Sequence, residues 1–402
     1  MSEVLKLSDH LNFTCGFPFS STFFNHEEGM PLIRIRDLLQ SKIETYYKGP
    51  FDPQFIVNKG DVLIGMDGDF HLVEWKNESA LLNQRVLKVS ARQGGKIKVD
   101  FIKHWLVPQL VDINGKTAAT TVKHLSTASL SDISVALPDL GQQAHIALVL
   151  DACSTQIETT EALIAKHQQI KAGLMHDLFT RGILEDGTMR PAPQDRPDLY
   201  CDGPWGQMAK DWTIRQIEDM CAAIADCPHS TPKYIEGGVP CIRTADLVPG
   251  NILLDQAYTV SEREHYLRSE RLVLKIGDVI YSREGERLGI AGPVESEPIC
   301  MGQRVMALRA SAENDGYYLM SVMNHAVFYR KILSGLGATT SPHVNVADIR
   351  KAKVPVPTPN EQRRIAGTLR TCEARLRQEQ TSLEKNKALK LGLMKSLLNP
   401  TR

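Results

Sequence analysis

Residues 143–178 read QAHIALVLDACSTQIETTEALIAKHQQIKAGLMHDL, and residues 362–397 read QRRIAGTLRTCEARLRQEQTSLEKNKALKLGLMKSL. A shift of 219 positions, Gln143 onto Gln362, lays one on the other without a gap. Ile146, Leu150, Cys153, Ile157, Ile164, Ile170, Leu174 and Leu178 then fall on Ile365, Leu369, Cys372, Leu376, Leu383, Leu389, Leu393 and Leu397. All eight pairs are apolar, and their spacing draws one narrow stripe along an α-helix, close to a coiled-coil seam. A stripe that narrow predicts a partner rod. The other copy supplies one, since each copy makes a rod of about 50 Å at 1.5 Å per residue, and the two can lie antiparallel. The first copy carries Asp151, Glu158, Glu161 and Asp177 against Lys166 and Lys171; the second carries Arg363, Arg364, Arg370, Arg375, Arg377, Lys385, Lys387, Lys390 and Lys395. That imbalance favours pairing of unlike copies.

The repetition continues upstream. Thr120, Thr121, His124, Val135 and Pro138 meet Thr339, Thr340, His343, Val354 and Pro357, and Gln84-Arg85-Val86 meets Gln303-Arg304-Val305, all at the same shift. With small length changes, which loops absorb easily, Lys59-Gly60-Asp61-Val62 meets Ile276-Gly277-Asp278-Val279, and Pro31-Leu32-Ile33-Arg34 meets Pro240-Cys241-Ile242-Arg243. The organisation is domain, helix, domain, helix. Each domain reads as mixed α/β. Strands are expected at Phe55–Val57, Val62–Ile64, Arg85–Val89 and Ile97–Phe101, then at Arg271–Leu274, Val279–Tyr281, Ile290–Ala291 and Arg304–Leu308, with helix at Tyr317–Leu333. The boundaries expected are a first domain at 1–142, a helix at 143–180, a linker at 181–211, a second domain at 212–361 and a helix at 362–402. The linker reading rests on the Pro, Asp and Gly content of Glu185–Gly206.

The chain of 402 residues is 42% hydrophobic, enough for two or three cores. No apolar run long enough to span a membrane occurs, and Met1-Ser2-Glu3-Val4-Leu5-Lys6 lacks a signal-peptide core, so a cytoplasmic protein without membrane contact is expected. Forty-seven basic residues balance 47 acidic ones, which argues against a generic polyanion binder and leaves nucleic-acid contact to local patches. Eight cysteines form no CxxC pair. Cys221, Cys227, His229 and Cys241 fit no usual zinc spacing and read as buried thiols, so no metal site is expected.

Chemistry suggests two readings. Asp67 and Asp69 followed by Glu74 and Lys76 have the skeleton of a metal-dependent nuclease, in which acidic groups hold Mg²⁺ and a lysine supports an attacking water. The second half does not repeat that skeleton. Base readout uses the same loops more economically, because Arg, Gln, Asn, Asp and Ser match base edges while lysines hold phosphates. The candidates are Asp67, Asp69, Phe70 and His71, then Arg283 and Arg287, then Thr339, Thr340, Ser341, His343 and Asn345, with Arg330, Lys331 and Lys351 as basic neighbours. Gln84-Arg85 and Gln303-Arg304, being repeated, are assigned a structural role at a strand start. Residues that read two different sequences should differ between the halves, which singles out Asp67 and Asp69 against Arg283 and Arg287.

These marks together resemble the specificity subunits of type I restriction–modification systems. The resemblance rests on Pro31–Arg34 and Pro240–Arg243, on Gly60–Phe70, on Leu82–Val86, and on Asp226–Tyr234 opening the second domain. It rests also on a proline followed by Gln-x-x-Ile, Pro138 with Gln143–Ile146 and Pro357 with Gln362–Ile365. The lead-in Asp139-Leu140-Gly141-Gln142 departs from the proline-rich Thr358-Pro359-Asn360-Glu361. The resemblance implies an α/β (mixed α+β) chain of two similar target-recognition domains with twisted mixed sheets, separated by two long antiparallel coiled-coil-like helices. The helix contacts would involve Ile146, Leu150, Ile157, Leu174, Ile365, Leu369, Leu376 and Leu393. It implies a non-catalytic subunit that reads a split asymmetric site on double-stranded DNA and docks two methyltransferase subunits and ATP-dependent restriction subunits. No cofactor is bound by this chain in that picture; S-adenosylmethionine, ATP and Mg²⁺ belong to the partners.

Overall fold

A computed structural model describes residues 4–40, 43–117, 122–285, 287–334 and 343–398. The chain divides into two units, one formed by 1–161 with 382–402 and the other by 162–381.

In the first unit an antiparallel four-stranded sheet runs in the order Leu11–Cys15, Val86–Ala91, Val62–Gly65, Leu72–Glu74. Val62, Ile64, Leu87 and Val89 bury one face of it. Against them packs a helix, Val99–Lys116, through Phe101, Ile102, Trp105, Leu106 and Leu110. A second sheet holds one parallel pair, Leu32–Ile33 beside Leu81–Leu82. The second unit repeats this plan. Its antiparallel sheet runs Cys221–Asp226, Val305–Ala310, Val279–Ser282, Ala291–Pro293. Its parallel pair is Cys241–Ile242 beside Cys300–Met301.

The repeated motifs turn out to shape the backbone. Gly60 and Gly277 both take a positive φ, 95° and 94°, and the aspartate after each accepts a backbone N–H at 2.8 Å, from Asn58 to Asp61 and from Lys275 to Asp278. The arginine after each parallel strand donates its N–H, at 2.8 Å, to a buried aspartate three residues on, Arg34 to Asp37 and Arg243 to Asp246. Such carboxylate-capped turns satisfy backbone donors that the sheet leaves unpaired.

The strands expected at Phe55–Val57, Val62–Ile64, Arg85–Val89, Val279–Tyr281, Ile290–Ala291 and Arg304–Leu308 are met by strands at 56–57, 62–65, 86–91, 279–282, 291–293 and 305–310. Two are not. Ile97–Phe101 runs into the helix starting at Val99, where β-branched and aromatic residues disguise a stripe at 101, 102, 105, 106 and 110. Arg271–Leu274 forms no strand. The helix expected at 317–333 is two, Gly316–Met323 and Ala326–Ser334. The stretch read as an exposed linker is folded into the second unit: Tyr200–Gly203 and Gly206–Ala209 form a hairpin, Ile183, Tyr200, Met208 and Ala209 are buried, and Arg190 reaches buried Glu361. Composition alone misreads it because Gly203, Pro204 and Gly206 shape the turn of a packed hairpin, and Pro197 opens a short 3-10 turn that leads into it.

Two long helices run Leu140–Thr180 and Pro359–Leu397, 41 and 39 residues. Each begins with a side-chain cap: Asp139 Oδ1 accepts from the Gly141 and Gln142 N–H groups at 2.8 and 2.9 Å, and Thr358 Oγ1 from Glu361 N–H at 3.4 Å. The two unlike lead-ins are therefore two solutions to one capping need. Inside the first unit Ile146 and Leu150 share a core with Leu393 and Leu397, and Glu161 pairs with Lys387 at 3.0 Å. Inside the second, Leu174 and Leu178 share a core with Ile365 and Leu369, and Lys171 pairs with Glu373 at 2.6 Å. The start of one helix meets the end of the other in each unit, which is antiparallel pairing. Leu376 is buried and Ile157 half-buried, while Ile170 and Leu389 of the expected stripe are exposed, 48% and 57%.

Candidate nucleic-acid interface

Each antiparallel sheet ends in the same three-residue cluster. In the first unit the strand Val62–Gly65 continues through Met66 to Asp67, whose Oδ1 lies 2.7 Å from His124 Nδ1 and 3.4 Å from an Arg85 guanidinium nitrogen. Met66 N–H donates to Arg85 C=O at 3.0 Å and Leu125 N–H to Met66 C=O at 2.7 Å, so backbone bonds tie all three segments together. In the second unit Glu284 Oε1 lies 2.9 Å from His343 Nδ1, and its Oε2 lies 3.6 Å from Arg304 Nε. Arg283 N–H donates to Arg304 C=O at 3.1 Å, and Val344 N–H to Arg283 C=O at 3.0 Å. Gly68 and Gly285, next to the two acids, have φ of 77° and 79°. The sequence names Asp67, both histidines and both Gln-Arg pairs of this set but does not match Asp67 with Glu284, because the two align only at a shift two residues shorter.

That alignment corrects the choice of discriminating residues. Arg283 is the counterpart of Met66, and both are buried. Its guanidinium binds Asp226, Nε at 3.0 Å and one terminal nitrogen at 2.9 Å, so it braces the fold and is closed to DNA. Phe70 is 2% exposed in the core of the first unit and is likewise withdrawn from any interface. Arg287 donates to the carbonyls of Ala245 and Leu247, both at 3.0 Å. Asp69, His71, Asn345, Arg330, Lys331 and Lys351 are exposed. Lys331 and Lys351 come together with Lys353 around one cleft of about 250 Å³ beside Phe328 and Ile332. Thr339, Thr340 and Ser341 lie outside the described residues.

The nuclease skeleton is dispersed. Asp67 and Asp69 lie in the turn of a hairpin in which Glu74 pairs opposite Val62 at the far end, on the order of 10 Å away at strand rise. Glu74 Oε2 accepts from Lys103 at 2.6 Å, and Lys76 is ion-paired with Glu158 of the first long helix. Both groups are spent on holding a helix. Among the described residues no cluster of three or more His, Cys, Asp or Glu could hold a metal ion. No described helix is long and apolar enough to cross a membrane.

Against known families, residues 2–169 and 209–387 match the type I restriction modification DNA specificity domain, once in each half. The chain belongs to this family. The specificity subunit of the type I restriction enzyme EcoBI of Escherichia coli is 29% identical over 372 residues, covering 90% of this chain and 77% of the relative. That of MjaVIII of Methanocaldococcus jannaschii is 22% identical over 403 residues, covering 98% and 91%. Among solved structures, the type I restriction–modification S subunit from M. genitalium superposes with a TM-score of 0.66 at 13% identity, covering 98% of this chain and 95% of that one.

Within this specificity subunit, a buried glutamine explains the family's proline and Gln-x-x-Ile pattern. Gln143 accepts from Lys98 N–H at 2.9 Å and donates to the carbonyls of Lys96 and Pro138 at 3.0 and 2.9 Å. Gln362 accepts from Asp315 N–H and donates to Asn314 Oδ1 and Pro357 C=O, each at 3.0 Å. Lys98 and Asp315 are the N-caps of the domain helices at 99–116 and 316–323. One amide therefore docks each long helix onto the start of its domain's own helix, and only a side chain with both donor and acceptor can do so.

Proposed function

We propose that this type I specificity subunit reads a split, asymmetric site on double-stranded DNA. Each unit takes one half of the site, and the paired long helices set the gap between halves. In this reading the chain is non-catalytic and works in the cytoplasm. Methyltransferase subunits dock on it and carry S-adenosylmethionine; restriction subunits carry ATP and Mg²⁺. The observation that supports the reading most is the repetition of two domains with the same four-stranded antiparallel sheet and parallel pair, each docked by a buried glutamine onto its own long helix. The exposed loop groups Asp69, His71 and Asn345 are the candidate base readers, and Arg330, Lys331 and Lys351 the candidate phosphate contacts.

The test is methylation mapping in cells carrying the chain with its modification subunits. A two-part motif with a fixed gap is expected. Inserting one seven-residue repeat into both helices, beside Thr160 and Ser382, keeps the seam in phase. It adds about 10 Å, which should widen the gap by about three base pairs. An unchanged gap would sink the ruler.

A further inference from the structure

Both units build an exposed cluster of acid, histidine and arginine, and the base readers proposed above do not include its arginines. Phosphates are alike at every step of a duplex, so a residue that holds them can be identical at two unlike half-sites, whereas base readers must differ. From this we infer that Arg85 and Arg304 are a matched pair of phosphate-contact residues, one per unit, each aimed by the carboxylate beneath it. The inference rests on the DNA-reading role proposed above.

The geometry separates these two arginines from others in the chain. Arg283 is buried with its fork on Asp226 and Val344 C=O; Arg268 is buried with its nitrogens on Glu264, Ser230 and Met301 C=O; Arg190 is buried between Glu361 and Asp211. Those guanidiniums are occupied by protein. Arg85 and Arg304 have side chains 54% and 63% exposed, over carboxylates that are each 24% exposed. Their contacts to the acids, 3.4 and 3.6 Å, are longer than the roughly 2.8 Å of a charge-assisted hydrogen bond. The short bonds of both carboxylates go instead to His124 and His343. Among the described residues neither guanidinium has another partner, so most of its five donors are left for an incoming oxyanion. Arg304 also sits at φ +66°, a conformation that a bulky residue keeps only where its surroundings over-determine it. The bond from Arg283 N–H to Arg304 C=O, with Arg283 itself tied to Val344 N–H, holds it here. The acid neutralises the arginine while no DNA is bound, and the histidine fixes the acid in place.

The experiment uses the full chain with its modification subunits and measures binding to a cognate and to a scrambled duplex across a salt series. For Arg85→Gln and Arg304→Gln, affinity should fall roughly fivefold on both duplexes alike. The slope of log K against log salt should become shallower by about one contact for each variant and two for the double variant. The methylated motif should be unchanged. Arg→Lys variants at the same sites keep the charge and should retain the wild-type slope. A motif relaxed in one half-site would make the arginine a base reader, and wild-type affinity and slope in the Gln variants would remove it from the interface; either overturns the inference. So would a slope lost in the Lys variants, which would point to a structural role. A wild-type complex that prefers no duplex would instead overturn the DNA-reading role itself.

Discussion

The two units solve the same docking problem with the same glutamine and then diverge in every charge around it. In the first unit Asp151 of the first long helix receives Lys103 at 2.7 Å and His104 at 2.8 Å, while Lys76 reaches Glu158. In the second, Glu373 of the second long helix is held by Tyr317 and Lys171, and Glu361 is buried among Arg190, Trp212 and the Ile183 N–H. The position equivalent to Glu361 in the first helix is Gln142, which is exposed. What repeats is therefore what the backbone needs, an N-cap and a carbonyl satisfied; what differs is how each domain's own side chains neutralise its helix. Charges that differ between otherwise equal junctions keep each domain on its own helix.

The comparison is broken most sharply at Glu361 and Gln142. Glu361→Ala leaves the buried Arg190 paired with Asp211 alone and takes the acceptor from the Trp212 and Ile183 N–H groups, and should cost about 3–5 kcal/mol in chemical denaturation, whereas Gln142→Ala should stay within about 0.5 kcal/mol. Equal losses would show that the two junctions carry equal weight. Next comes acid. Burial, with the neighbouring His176 and Arg330 adding to it, pushes His325 down to about 4, and its ring stacks on Trp205 at 4.6 Å. Because its folded value lies below the ordinary 6.5, the neutral ring contributes stability that is complete above pH 6.5 and is lost as pH falls towards 4. That loss amounts to roughly 3 kcal/mol. His325→Phe should remove this part of the pH dependence of unfolding; an unaltered profile would place the acid sensitivity elsewhere. The smallest effect is the symmetric one. Gln143→Ala and Gln362→Ala each leave buried backbone groups unpaired, and each should cost about 1–3 kcal/mol. Similar values in both units are expected from denaturation, and a large inequality would mean the shared anchor is not equally loaded.

Much of this was legible in the residues. The repeat at 143 and 362, with its apolar stripe, announced two long helices, and the paired Gly-Asp and Pro-x-Ile-Arg motifs announced two like domains. The stripe overreached at Ile170 and Leu389, because a pattern of apolar positions does not say which of them meets a partner. The site was less legible. Arg283 reads as a base reader by type and position, yet lies at 2% exposure on Asp226. Arg85 and Arg304 read as structural because they repeat, yet are among the more exposed arginines. Sequence separation hid the acid partner of each, since Asp67 and Arg85 are 18 residues apart, as Glu284 and Arg304 are 20, and each pair meets only because neighbouring strands pair.

Local order along the chain was enough to determine the duplication, the mixed α/β class and the two amphipathic rods, since each depends on neighbours a few positions away or on a copy of the same pattern. Which arginine is buried, which carboxylate neutralises which cation, and that residues 181–211 fold back to lock Glu361 were decided only by tertiary structure. Burial and ion pairing depend on what distant segments bring to one place, and a guanidinium's role changes from brace to open hand according to how many of its donors that neighbourhood fills.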